Sequence, residues 1–281
     1  MTSDSRQKQW QREAEFFDSQ AKSRAGSLSR TDPAILERYA RAQPGSWWPL
    51  EHAFGVLGKL EGKNVLDVGC GEGEDSILLA ANGAKVKGID ISTLAIDLAR
   101  DRAAINEVSD RTSFIAGPIE NLAAGSERFD VIWCAAVLHH IIADLGPVLR
   151  MLRSLLNPGG RVIMIEPIML SKTLKRLRRL FPANPNATPD ERPLELNELE
   201  IIKSVFPELE TRYFRMSGRF APLVLGGHGY EKASKLRRAA SDALGRVDRT
   251  LLSVKPMQRL ASICVMEAQI SNVVPGPRIE N

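Results

Sequence analysis

The sequence predicts an α/β fold in which a parallel sheet carries helices on both faces, and three observations predict it. Short apolar runs typical of buried parallel strands recur at Asn64–Val68, Lys85–Ile89, Thr112–Ala116, Asp130–Cys134 and Arg161–Glu166. Helical periodicity fills the gaps, near Asp75–Ala81, Leu94–Asn106 and Leu145–Leu155. The first strand passes into a loop with glycine at every second position, Gly69, Gly71 and Gly73, before its helix begins. Strand alternating with helix implies right-handed βαβ units.

In chain order, Ser5–Lys22 is polar and rich in helix formers, with Trp10, Phe16 and Phe17 as its large apolar groups. It reads either as an arm folded over a ligand pocket or as an amphipathic helix resting on the core. A second helix-forming patch, A-I-L-E-R-Y-A-R, lies within Gly26–Gly45 and is ended by Q-P-G. Trp47 and Trp48 follow, then Leu50, Ala53, Phe54, Leu57 and Leu60 at the spacing of a helix that packs on the sheet. The tryptophan pair reads as packing between arm and core ahead of stacking on a planar substrate, and His52 as structural. N-P-G-G at Asn157–Gly160 reads as a turn ending the third helix.

Two later stretches exceed the minimal pattern. Residues 168–193 hold K-T-L-K-R-L-R-R-L-F, with Leu174, Leu177 and Phe181 on one face among Lys172, Lys175, Arg176, Arg178 and Arg179, followed by the loop P-A-N-P-N-A-T-P-D-E-R-P. Residues 217–259 contain G-G-H-G-Y-E-K-A-S-K-L-R-R-A-A. Connections that long are usually structured or functional, and ligands of open α/β sheets sit beyond the carboxyl ends of the strands. Both are therefore expected to cap the site. The expected division is an N-terminal helical lid, 1–59, and one domain, 60–281, carrying these two insertions. The final P-G-P-R-I-E-N is expected to fray.

Of 281 residues, 43% are apolar and 26% charged, an ordinary globular balance. The net charge of +4 is a mild basic bias, unlike that of a dedicated nucleic-acid binder, so DNA is not an expected partner. Cys70, Cys134 and Cys264 are isolated and show no zinc-site spacing. No metal is expected, and the reading is a reduced, cytoplasmic protein. The first ten residues lack the apolar core of a secretory signal, and no apolar run reaches membrane-spanning length.

A glycine loop between strand and helix lets the backbone approach a ligand closely, which implies a nucleotide cofactor. Asp67, just before the loop, would repel a pyrophosphate. It suits a ligand that is positive at this end, such as the ammonium and sulfonium of S-adenosylmethionine. Asp90 ends the second strand about 20 residues past the loop, placed to accept hydrogen bonds from ribose hydroxyls.

Four segments together, V-L-D-V-G-C-G-E-G, G-I-D-I-S, R-F-D-V-I-W-C-A-A-V-L-H-H-I and L-L-N-P-G-G-R-V-I-M-I-E-P, cover roughly Leu60 to Pro167. In this order they resemble the class I S-adenosylmethionine-dependent methyltransferases, particularly the small-molecule branch. The resemblance implies a Rossmann-like sheet of seven strands, completed by an antiparallel edge hairpin for which Glu210–Met216 and Ala261–Ala268 are the candidates. It also implies that N-terminal helices help to close the site. On this reading the backbone at Gly69, Cys70, Gly71 and Gly73 faces the methionine portion, with Asp67 at its ammonium. Asp90 takes the ribose, and Ile91 packs on the adenine. Pro118 stands where such enzymes often place an acid for the adenine amine, leaving Ile119 to cover the ring and Glu120 or a backbone carbonyl to take the amine. Cys134 and Ala135 lie beside the methionine chain and methyl group.

His139 and His140 follow at the mouth. Histidine titrates near neutrality and can take a proton from a hydroxyl, phenol or amine as it is methylated, with His140 the first choice. Glu166, ending the fifth strand, is expected to point into the substrate cavity or to bind an arginine of the cap such as Arg192. Tyr213, His228 and Tyr230 are lesser candidates.

The leading reading is an S-adenosylmethionine-dependent methyltransferase acting by in-line displacement on a small or lipid-like acceptor. The alternatives are a module that binds the cofactor without methyl transfer, a non-methylating enzyme on the same fold, and an RNA methyltransferase. The D/N-P-P-Y/F signature of nucleic-acid amino methylases is replaced here by C-A-A-V from Cys134, which disfavours methylation of base amines. The basic, leucine-bearing segments near Leu174 and over Lys232–Leu251 either rest on anionic bilayers as peripheral contacts or bury their leucines in the cap's own core.

Overall fold

The computed structural model describes residues 3–124, 127–178, 191–227 and 229–271. Seven strands form one sheet: β1 (Asn64–Val68), β2 (Lys85–Asp90), β3 (Thr112–Ala116), β4 (Phe129–Ala135), β5 (Leu156–Pro167), β6 (Glu210–Phe214) and β7 (Ile263–Gln269). Their order is β3-β2-β1-β4-β5-β7-β6, with β1 to β5 parallel and β7 antiparallel to both neighbours. The strand order reverses between β1 and β4, where Val65 registers with Val131 and Val68 with Cys134. The carboxyl ends of β1, β2 and β4 therefore open one crevice at a topological switch point.

The helices are α1 (Ser3–Arg24), α2 (Pro33–Ala40), α3 (Pro49–Leu57), α4 (Glu74–Ala81), α5 (Thr93–Ile105), α6 (Leu145–Leu155), α7 (Lys172–Arg178), α8 (Leu196–Val205), α9 (Ala221–Leu225), α10 (Lys235–Leu251) and α11 (Lys255–Gln258). Because successive residues of a strand face opposite ways, each strand feeds two cores. Leu66, Val68, Ile132 and Cys134 join Val148, Leu149 and Leu152 of α6 and Ile202 of α8 on one face. Val65, Val131 and Trp133 join Phe54 of α3, Ile77 and Leu79 of α4 and Ile96 of α5 on the other. The five expected parallel strands and both edge strands are present within a few residues of their expected bounds, as are the three helices between them.

Two local readings change. The N-P-G-G segment is not a turn outside the sheet: β5 begins at Leu156, which pairs with Phe129, and the ladder shifts register before resuming at Arg161 opposite Val131. The irregularity absorbs Gly159 at φ +75°. Second, residues 217–259 form α9 to α11 and pack against the segment linking α2 to α3. Asp242 accepts from the indole N–H groups of Trp47 (3.2 Å) and Trp48 (3.4 Å), so the tryptophan pair serves packing. His52 is structural too: its Nδ1 accepts the Gly45 N–H at 3.0 Å, and burial, then Arg212, push its pKa down to about 4.

Within 168–193, α7 is described and Lys175 pairs with Glu195. Arg179, Phe181, the loop that follows as far as residue 190, His228 and the terminal P-G-P-R-I-E-N lie outside the described residues. Among the described residues no helix is long and apolar enough to cross a membrane.

Candidate active site

A cavity of about 440 Å³ opens at the carboxyl ends of β1, β2 and β4. Its floor is the loop after β1. Gly69 sits at φ +67°, and a Cβ there would lie 2.4 Å from Val137 Cγ2, so no other residue fits. The N–H groups of Gly69 and Cys70 both donate to Ile89 O, that of Gly71 to Asp90 Oδ2 at 2.8 Å, and that of Gly73 to Cys70 O. With those donors engaged, these residues have close approach and carbonyl oxygens to give a ligand. Glu74 and Asp75 occupy the first turn of α4, where an anion-binding site would need bare N–H groups. The loop is built for a positive ligand rather than a pyrophosphate.

Three carboxylates line this cavity, of which Asp67 is buried and Asp75 and Asp90 are half-buried. Asp67, 2% exposed, accepts from Ser76 Oγ at 2.6 Å. Asp75 accepts from Trp133 Nε1 at 2.9 Å. Asp90 accepts the Gly71 and Ser92 N–H groups. Burial, then the neighbouring Asp75, pushes the Asp67 pKa up to about 8 despite the Ser76 bond. Burial raises Asp75 to about 6, and raises Asp90 against the pull of its backbone donors. The basic side chain among the lining residues, Arg24, is paired with Glu72 at 3.1 Å. Hydrogen bonds do not supply the charge these carboxylates lack; a cationic ligand would.

Further round, Ile91, Pro118, Ile119 and Glu120 form the wall after β2 and β3. Glu120 Oε2 is buried there without a hydrogen-bond partner. Ala135 lines the opposite wall. Cys134, expected beside it, does not: the pleat of β4 turns its side chain into the core on the other face, where it is fully buried. Gly73 is likewise not a lining residue. It starts α4 at φ +78°, and a Cβ there would lie 2.9 Å from Ala99 Cβ.

After β4 the chain turns through Ala136 at φ +55°, an uncommon value for a residue with a side chain. Glu166 holds this turn. Its Oε1 accepts the N–H groups of Val137 (2.9 Å) and Leu138 (2.8 Å), and its Oε2 accepts from His139 Nδ1 at 2.8 Å. Fully buried, Glu166 points under the loop and not into the cavity, and it does not bind Arg192, which pairs with Glu198 at 2.9 Å. His139 is buried beside it, and the donor atoms of His139, His140 and Glu191 come within 4.8 Å of one another. Of the two histidines only His140 lines the cavity. Its ring stacks near His139 (4.2 Å between centroids) and meets the edge of Phe17 (5.4 Å). Its Nδ1 is buried without a partner. Burial, then His139, pushes its pKa down to about 3, which keeps it neutral. Tyr213 lies in the edge strand and Tyr230 bonds Asp242 at 2.8 Å; neither lines the cavity.

The cavity is roofed by α1, through Trp10, Glu13, Phe17, Gln20 and Arg24. These follow one another at spacings of three and four, a single helical face. The helix is pinned along its length. Arg6 pairs with Asp144 at 2.6 Å, Asp18 Oδ1 accepts the Leu94 N–H at the start of α5, and Ala21 packs with Ala95 and Leu98. By contrast, none of residues 217–259 lines the cavity, so among the described residues the cover comes from the N-terminal helix. Periodicity could have shown this face; mixing aromatic with polar groups hid it. Asp75 was also missed, its signal being an acid in the first turn after a glycine loop.

A family model for a methyltransferase domain matches residues 59–205. The 27-O-demethylrifamycin SV methyltransferase of Amycolatopsis mediterranei is 39% identical over 111 residues, 39% of this chain and 40% of that protein. The ubiquinone biosynthesis O-methyltransferase of Bordetella pertussis is 34% identical over 147 residues, 47% of this chain and 59% of that protein. The match thus spans roughly half the length of these relatives. The crystal structure of the [4+2]-cyclase SpnF superposes with a TM-score of 0.52 at 18% identity, over 85% of this chain and 81% of the other, a likeness of fold.

Proposed function

The chain belongs to the methyltransferase-domain family, whose cofactor is S-adenosylmethionine, and from that premise we propose that it methylates a hydroxyl-bearing small or lipid-like molecule. The carrying observation is the cluster of Asp67, Asp75 and Asp90, three carboxylates around one cavity with no cation to balance them among the described lining residues. The cofactor fits that deficit because it is positive at its amino-acid end. A hydroxyl acceptor is supported by the relatives that carry O-methyltransferase names.

When bound, the cofactor supplies an electrophilic methyl group on a sulfonium centre. Asp67 and Asp75 would hold its ammonium end with the carbonyls of the Gly69–Gly71 turn, and Asp90 its ribose. Ile91, Pro118 and Ile119 would cover the adenine, and the unpartnered Glu120 Oε2 would accept from its amino group. Through Trp10 and Phe17, α1 excludes water and restricts the acceptor to one approach, the main demand of an in-line displacement. His140, held neutral, would accept the hydroxyl hydrogen bond and take its proton as the methyl group passes from sulfur to that oxygen, the C–S bond breaking to leave a neutral thioether. With a pKa near 3 it is too weak a base to make an alkoxide beforehand, so proton transfer comes late. Glu166 acts through the loop, fixing the backbone of Val137 and Leu138 and orienting His139.

The experiment is transfer of a labelled methyl group to hydroxylated aromatic and lipid acceptors, followed by identification of the product. Label appearing on an oxygen supports the reading. Cofactor binding without transfer to any acceptor would leave a binding module instead.

A further inference from the structure

Helix α10 is amphipathic the wrong way round for a helix that serves only a core. Its inward side is small and polar: Ser241, Gly245 and Asp248 are buried. A Cβ at Gly245 would lie 2.3 Å from Trp47, so the helix seats tightly there. Asp248 accepts the Ser217 and Gly218 N–H groups, both at 2.7 Å. The outward side carries Leu236, Ala240, Ala243, Val247 and Leu251, all exposed and spaced by three or four residues in one stripe. Leu236 is 80% exposed and Val247 49%, and beside α9 Leu223 is 78% and Phe220 54% exposed. Other exposed large apolar groups of the described residues, such as Leu94, Ile105 and Leu196, are scattered singly and need no explanation. Of the leucines expected to fill a core of the cap's own, Leu236 and Leu251 are instead exposed, while Leu174 and Leu244 are half-buried.

The charges sort in the same sense. Residues 217–259 contain three acids, and each is turned inward: Glu231 to Arg38 (2.9 Å), Asp242 to the two tryptophans and Tyr230, Asp248 to the backbone. Exposed cations flank the stripe, with Lys232 and Lys235 at its start and Arg237 and Arg246 on its two sides, Arg237 donating to Leu225 O and Arg246 lying over the Trp47 ring. A second copy of the chain meeting this face would set cation against cation. An anionic bilayer satisfies both features: the stripe enters the acyl boundary while lysine and arginine reach the phosphates.

We propose that α10, with Phe220 and Leu223 beside it, is a docking surface for anionic lipid membranes. This surface shares no residue with the cavity and stands whatever the cavity binds. The test is sedimentation of the intact chain with vesicles of phosphatidylcholine alone and of phosphatidylcholine mixed with phosphatidylglycerol, at low and high salt. Binding is expected only to the anionic vesicles and is expected to weaken with salt. Leu236→Asp/Val247→Asp is expected to lower it at least about tenfold with an unchanged melting temperature, since both positions are exposed. Lys232→Glu/Lys235→Glu reads the charge separately and is also expected to weaken binding. Failure to bind, equal binding to neutral vesicles, or undiminished binding by both variants overturns the proposal. So does a wild-type dimer in light scattering that the first variant dissolves, which would assign the face to a second copy.

Discussion

Ser76 Oγ donates to Asp67 Oδ2 at 2.6 Å on the floor of the cavity, and this hydroxyl is the main comfort of a carboxylate that burial and Asp75 push up to about 8. The folded chain therefore holds a proton on Asp67 that the unfolded chain, with a carboxylate near 3.8, has lost at neutral pH. Raised above its unfolded value, the group lends stability that is complete below about pH 3.8 and lost as pH rises towards 8. Asp67→Asn should raise the melting temperature of the ligand-free protein at pH 7, by on the order of 2 kcal/mol of stability. The same change should weaken S-adenosylmethionine binding at least about a hundredfold. Thermal melts with and without cofactor check both, and an Asn variant that is less stable yet still binds would contradict the assignment.

Glu166 and His140 should separate cleanly. His140→Ala is expected to slow turnover about 10²–10⁴-fold while leaving cofactor affinity within about twofold. Glu166→Ala leaves two backbone N–H groups and His139 without their buried acceptor, which should cost about 3–5 kcal/mol of stability. Single-turnover kinetics and melts on both variants distinguish chemistry from scaffolding.

The roof offers a contrast of magnitudes. Arg24–Glu72 is a partly exposed ion pair of a kind worth about 0–1 kcal/mol, so Arg24→Ala should change cofactor affinity by less than about fivefold. Phe17→Ala removes apolar area over the cavity and the edge contact to His140, and should cost about tenfold or more. Stopped-flow dissociation rates check the ranking; equal effects would mean that α1 is held by its latches alone.

Glu120 bears on base recognition. Its Oε2 is the unpartnered acceptor in the wall after β3, so Glu120→Ala should erase most of the preference for S-adenosylhomocysteine over its inosine analogue. Competition binding with the two nucleosides measures that preference.

Much of this architecture is legible in the residues themselves. Alternating apolar runs and helical spacing yield the strands, because both periods follow from backbone geometry alone. Asp67, Asp90, Gly69 and Gly71 line the cavity where local sequence sets them, at strand ends and in the loop after β1. Cys134 does not: its side of the sheet depends on counting the pleat against Trp133. Glu166 was misread because a carboxylate at a strand end reads as ligand-facing until its two N–H donors, 28 and 29 residues away, are seen. The face of α1 stayed hidden because its aromatic and polar groups mix, and the latches that seat the helix, Arg6 to Asp144 and Asp18 to Leu94, join residues remote in sequence. Contacts across long separations are what local patterns lack.

The central claim is that uncompensated carboxylates lining the cavity select a positively charged nucleoside. The most direct measurement is calorimetric titration of the intact chain with S-adenosylmethionine in two buffers of different protonation enthalpy, between about pH 5.5 and 6.7, about a unit below the ligand's own amine titration. The expected result is binding that releases about one proton as Asp67 ionises against the ligand, and more towards the acid end as Asp75 also ionises, with affinity rising by about tenfold per pH unit for each proton released. Binding without proton release, or a nicotinamide dinucleotide held more tightly than S-adenosylmethionine, would contradict it.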